Sequence, residues 1–190
     1  MEKIALNDKQ LEFLARGNPH LDKYFEGVFP CDRLPPNPDK STPKAYIVNT
    51  DPEALPGRHW LGLWTEKNKC EVMDSYALPL DVYKTTAPLQ AWLDKHWKYV
   101  VNNGRTLQSL FSQSCGDYAL LFLIAKARNH SMSEFVQTFD QHDYVANDHK
   151  IGQVLKRVIE RETQWHTVSA RPLIHNTVGS KHGVRHLLND

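Results

Sequence analysis

Cysteine is scarce in this 190-residue chain. It has three, an odd number that builds no disulfide framework and fits a reducing, intracellular setting. Charge of one sign is lacking too: 23 Lys and Arg stand against 22 Asp and Glu, so no global field draws the chain to nucleic acid or membrane. There is no long apolar run. The stretch from Ala119 to Ala125 is far too short to span a bilayer, and the opening MEKIALNDKQ holds no apolar signal core. These absences predict a soluble, non-secreted protein with no membrane partner. Repeats and low-complexity runs are missing as well. What the chain does have is apolar material, 41% of its residues, enough for one real core at a length that suggests one domain.

Asn7 or Asp8 can cap a first helix, with Leu11, Phe13 and Leu14 as its apolar positions and Gly17 at its end. Pro19 suits the first turn of a second short helix through Phe25, stopped by Gly27. Five prolines between Phe29 and Pro43 predict a loop there. Three strands follow, at Lys44 to Asn49, His59 to Trp64 and Glu71 to Met73. No crossover lies between them, so they should pair antiparallel. Leu89, Trp92, Leu93, His96 and Trp97 share one face of a helix over Thr86 to Val100. Asn102-Asn103-Gly104 reads as a turn, and Arg105 to Gln108 as a short strand. An apolar run from Tyr118 to Ala127 reads as a buried helix. Ser131 and Glu134 form a capping-box pair, and Ile151 to Ile159 an amphipathic helix. Together these predict an α+β fold, a small, mainly antiparallel sheet packed against the helix that carries Cys115. From Gln164 onward the character changes. The segment 164–190 holds four of the ten histidines, with Arg171, Lys181 and Arg185 against Asp190 alone.

Cys115 stands out among the cysteines. A lone cysteine is usually a small buried hydrophobe. This one follows a polar loop, precedes Gly116 and opens a buried helix, whose N-terminal partial charge favours thiolate over thiol. Cys31 in the proline loop and Cys70 at a strand edge lack such surroundings and read as structural. His59 is the candidate base, since a histidine at a strand start projects into a cleft more readily than one in mid-strand. Its neighbour Trp60 should alternate to the other face. Asp74 follows the next strand and falls beside His59 if the two strands pair, although an aspartate before a serine also commonly starts a turn. Gln108 and Gln113 both stand close enough before Cys115 to offer an oxyanion donor, and spacing alone does not separate them.

Order and context resemble one family. AYIVNT ahead of HW, then VMDSYALP, then QSLFSQSCGDYALLFL, resemble the adenovirus endopeptidases (adenains) and their relatives in virus-like transposons. The SUMO-deconjugating proteases share that fold group. YFEGVFP resembles the family's entry segment before its first strand. The resemblance covers roughly residues 20 to 160. It implies a cysteine protease domain over 1–163, with His59 as base, Asp74 as acid, Cys115 as nucleophile and Gln108, seven residues upstream, as oxyanion donor. It implies viral or element-encoded structural precursors as substrates, and a virion or nuclear location if the source is viral. DNA or an activating peptide would be the helper, no cofactor would be needed for the chemistry, and the chain would act as a monomer. Two departures stand out. The acid is Asp where many adenovirus enzymes carry Glu. No cysteine lies between Asp74 and Cys115, so a disulfide-linked activator is not expected. The rivals are an isopeptidase for a ubiquitin-like modifier and an inactive protease-fold protein that binds nucleic acid through the basic tail.

Overall fold

The structure, a computed structural model, describes residues 5–169, with side chains through residue 161. Helix α1 (Asp8–Gly17) opens on a capping box. The Asn7 side chain accepts from the Gln10 N–H, and the Gln10 side chain accepts from the Asn7 N–H. Leu11 and Leu14 face the core, whereas Phe13 is exposed. The expected second helix does not form. Residues 19–24 make turns, and the chain enters strand β1 (Phe25–Pro30), which takes the first two residues of the expected proline loop. Gly27 stops no helix. It sits at φ 149° where the pairing with the next strand shifts register. Pro30 is tolerated because β1 is an edge strand.

Strands β2 (Lys44–Asn49), β3 (Trp60–Glu66) and β4 (Lys69–Met73) form the expected antiparallel meander. The two edges add what the sequence did not suggest: β1 runs parallel to β2, and β5 (Tyr99–Asn102) runs parallel to β4. Helix α2 (Ala87–His96) connects β4 to β5. It ends earlier than its apolar face suggested, because Trp97 turns to extended backbone and Tyr99-Val100-Val101 pair as a strand. β-branched residues favour that choice. Arg105 to Gln108 form no strand, although the Leu107 and Gln108 N–H groups both donate to the Ser75 carbonyl.

Helices cover both faces of the sheet, which explains why β2 and β3 are almost continuously apolar. Tyr46, Val48, Leu61 and Leu63 pack with Leu89, Trp92 and Leu93 of α2. Ala45, Ile47, Trp64 and Met73 point the other way, into a core shared with α1, α3 (Cys115–Ala127), α4 (Met132–Gln137) and α5 (Tyr144–Ser169). Helix α3 is the central piece, apolar all round and buried along nearly its whole length. It lies on β3 at Gly62, where a Cβ would come within 3.0 Å of the Ala119 carbonyl oxygen. Helix α4 starts on the expected Ser131–Glu134 capping box. Helix α5 buries Ile151 and Leu155 and continues past residue 163. The basic tail expected over 164–190 lies, beyond Ser169, outside the described residues. Among the described residues no helix is long and apolar enough to cross a membrane.

Candidate active site

Three sequence segments meet at the end of the sheet. The loop after β2 is pinned by Asn49, whose side-chain oxygen accepts from the Asp51 and Arg58 N–H groups at 2.9 and 3.3 Å. Gly57 (φ 82°) lies so close to Asn49 that a Cβ would sit 2.7 Å from its amide nitrogen. That loop delivers His59 to the start of β3, where its carbonyl accepts from the Thr50 N–H. Asp74 follows the last residue of β4. Cys115 is the first residue of α3. Gly116 lets that helix start pack tightly, since a Cβ there would meet Leu11, Leu6 and Trp60 at 3.3 to 3.4 Å.

His59, Asp74 and Cys115 are all buried, and they are in contact. His59 Nε2 lies 2.8 Å from Asp74 Oδ1. Cys115 interacts with the same imidazole, and each group shifts the other's proton affinity. Burial alone would pull the His59 pKa down. The bonds to Asp74 and Cys115 outweigh it and push the pKa up to about 9. Burial alone would raise the Cys115 pKa. The imidazolium of His59 and the backbone N–H groups of Trp60 and Gly116 bring it below the ordinary thiol value. The opposite shifts both favour moving a proton from the thiol to the imidazole.

Asp74 is held on every side. Burial would raise its pKa, and the His59 bond, with Tyr83 and Tyr76 behind it, keeps it below the usual carboxylate range. Oδ1 also accepts from the Tyr76 N–H at 2.9 Å. Oδ2 accepts from the Tyr83 hydroxyl at 2.6 Å and the Leu78 N–H at 3.1 Å. The Asp74 N–H donates to Asn103 Oδ1 at 2.9 Å, so the turn residue after β5 fixes the backbone of the acid. The rings of Tyr76 and Tyr83 stack on the imidazole at 5.0 and 5.3 Å between centroids. Tyr83 and Asn103 escaped the sequence reading. A tyrosine nine residues past the acid carries no local signal, and Asn103 reads as turn chemistry.

The candidate oxyanion glutamine is placed differently from the other three residues. Gln108 is buried and does not line the cleft that Cys115 lines. Its Oε1 accepts from the Ser75 hydroxyl at 2.6 Å. Its Nε2 donates to the Ser112 carbonyl at 2.8 Å and the Ser112 hydroxyl at 3.0 Å. Gln113 does line the cleft, and its Oε1 accepts from the Ala5 N–H at 3.3 Å. The cleft holds about 850 Å³ and runs from Ala5–Asp8 past the 49–58 loop to His59 and Cys115. Trp60 forms part of its wall, with the indole N–H donating to the Leu6 carbonyl at 3.1 Å. The other two cysteines are buried elsewhere. The Cys31 thiol donates to the Thr85 carbonyl and has its pKa pushed up to about 11, first by burial and then by Asp32 and Asp51. Burial, and then Glu71, raises Cys70 as well. Among the described residues no group of three or more His, Cys, Asp or Glu is placed to hold a metal.

No protein-family model matches the sequence, and no curated protein does. Solved structures with a similar outline include the ASFV pS273R protease, at 19% identity over 57% of this chain, with TM-scores of 0.35 and 0.36 in two structures. The match spans 43% and 42% of the ASFV chain, less than half its length. The SUMO protease Ulp1, with its catalytic cysteine oxidised to a sulfinic acid, matches at 12% identity and TM-score 0.43 over 82% of this chain and 80% of its own.

Proposed function

We propose that this chain is a cysteine protease in which Cys115 is the nucleophile, His59 the general base and acid, and Asp74 the residue that orients His59. The observation that carries the reading is the buried contact of the three, with the histidine pushed up and the thiol brought down. A thiolate at the floor of a large cleft, at a helix start, is poised for attack on a carbonyl carbon. Sγ bonds to that carbon and the carbonyl becomes an oxyanion. The backbone N–H of Cys115 donates to it, and Gln108 adds a second donor once its amide exchanges Ser112 for the substrate oxygen. As the C–N bond breaks, a proton of the His59 imidazolium passes to the leaving amine. His59, now neutral, takes a proton from water, which hydrolyses the thioester and frees Sγ. Asp74 remains charged throughout.

The substrate class follows from the family resemblance of the HW, VMDSYALP and QSLFSQSCGDYALLFL segments: viral or element-encoded structural precursors, cut beside small residues. The test is labelling by a thiol-directed activity probe and cleavage of a candidate precursor, with native protein and Cys115→Ala side by side. Both signals should vanish in Cys115→Ala, which should melt like the native protein. Cleavage that survives Cys115→Ala refutes the mechanism. Labelling by a SUMO vinyl sulfone, with no precursor cleavage, would assign the site to a deconjugating isopeptidase instead.

A further inference from the structure

The segment from Asp74 to Thr86 contains only one short 3-10 turn, Leu80–Tyr83, yet it is tightly held. Ala77 and Lys84 both adopt left-handed backbone, at φ 52° and 59°, a conformation that non-glycine residues avoid. Such residues persist where their surroundings over-determine them, and they cluster at functional sites. The anchors here are specific. The Ala77 N–H donates to the Asp74 carbonyl. The Thr85 hydroxyl lies 2.8 Å from the Thr50 carbonyl, and the Thr86 hydroxyl donates to the Leu80 carbonyl. Arg58, paired with Asp51, also reaches the Thr85 hydroxyl. What this framework delivers is Tyr83, with its ring nearly parallel to the His59 imidazole (14°) and its hydroxyl on the Asp74 oxygen that His59 does not use.

We propose that Tyr83 is a positioning residue of the His59–Asp74–Cys115 site, with two separable parts. The hydroxyl locks the Asp74 carboxylate so that Oδ1 faces Nε2. The ring lies on the imidazole and favours its charged form. The idea rests on the protease reading only in treating those three residues as the working site. A space-filling role would need neither the hydroxyl nor the parallel ring. With Oδ2 released, the carboxylate can turn about its Cβ–Cγ bond, although Leu78 still donates to it. The imidazolium then loses its partner part of the time, and the thiolate loses its counter-charge. The ring acts separately, because an aromatic face within about 6 Å of a cation attracts it. The other charged or titratable groups around His59 are Asp74 and Tyr76 from the same segment, Cys115 from α3, and the Arg58–Asp51 pair on the preceding loop.

The experiment measures the rate of Cys115 alkylation by iodoacetamide against pH in the full-length chain, which needs no substrate. Four proteins are compared with wild type: Tyr83→Phe, Tyr83→Leu, Asp74→Asn, and Tyr83→Phe with Asp74→Asn. Melting temperatures are recorded for each. Tyr83→Phe should move the acid limb up by roughly one pH unit, the worth of one hydrogen bond to a charged group. It should move nothing further once Asp74 is Asn, because the hydroxyl acts through that carboxylate. Tyr83→Leu keeps apolar cover but loses the ring, and should move the limb a further half to one unit, roughly. An equal shift for Tyr83→Phe in both backgrounds, or no shift in either, overturns the proposal. The Phe variants decide even if Tyr83→Leu fails to fold. If these shifts occur in a protein that cleaves no precursor, the protease reading falls and the positioning role stands.

Discussion

At the scale of single residues, His59 and Cys115 move each other's proton affinity in opposite directions, and that sets a pH window. The reactive pair needs thiolate sulfur and protonated imidazole. A raised histidine pKa means the proton is retained below that value and lost as pH climbs through about 9. The thiol pKa is below its ordinary value, so the acid limb is set by Cys115 regaining its proton. Turnover should therefore form a broad plateau ending near pH 9, measured as kcat/KM against pH. A maximum that falls already from pH 7 upward would mean that His59 is not held charged. Glutamine choice is a second question at this scale. Gln108→Ala should cut turnover on the order of 100-fold, the cost of one oxyanion donor, and Gln113→Ala much less. Steady-state kinetics of the two variants decides it. The opposite ranking would give the donor role to Gln113, which already lines the cleft.

At the scale of elements, His59 and Cys115 sit at the ends of β3 and α3, so the distance between them is the distance between a strand and a helix. Gly62 sets that distance. A methyl group there would meet the Ala119 backbone at 3.0 to 3.2 Å and the Phe122 ring at 3.3 Å, with the sheet behind it unable to give. Gly62→Ala should cost about 1–3 kcal/mol, the usual price of overpacking. It should lower turnover as well, because α3 must lift off β3. Denaturant melts and kcat measure both effects, and an unchanged melt would show that the helix can shift freely. The sequence made the meander legible because β2, β3 and β4 are short β-rich runs separated by turns. It also marked the helix opening at Cys115, since a ten-residue apolar run follows. It hid β1 and β5. Pro19 and Gly27 mimic helix punctuation around what is a turn and an edge strand, and Tyr99 to Val101 continue the apolar spacing of α2 without a break. Those strands exist because the neighbouring strands offer unpaired backbone, which no local pattern records. At the site, residue types with chemistry announced themselves, whereas Tyr83 and Asn103, which act by holding Asp74, did not.

At the scale of the whole molecule, the core closes on α5 through Ile151 and Leu155, and the site residues all precede that helix. A chain ending at residue 163 should therefore fold and cleave a short substrate. The removed segment carries three basic residues against one acidic, a net charge of +2 with histidines neutral. Such a segment can hold phosphates with an affinity that falls steeply with salt. Fluorescence anisotropy with labelled duplex at two salt concentrations should show binding by the full chain and its loss in the shortened one. Equal binding removes the idea of a built-in DNA helper. One feature of the acid reaches further. The Asp74 backbone is fixed by Asn103, which arrives only after β5 has been laid parallel to β4 across the α2 crossover. Parallel pairing needs a long closure before any contact rewards it, so it is slow. The Asp74 backbone therefore lacks this anchor until β5 docks, which places the assembly of the His59–Asp74–Cys115 cluster late in folding.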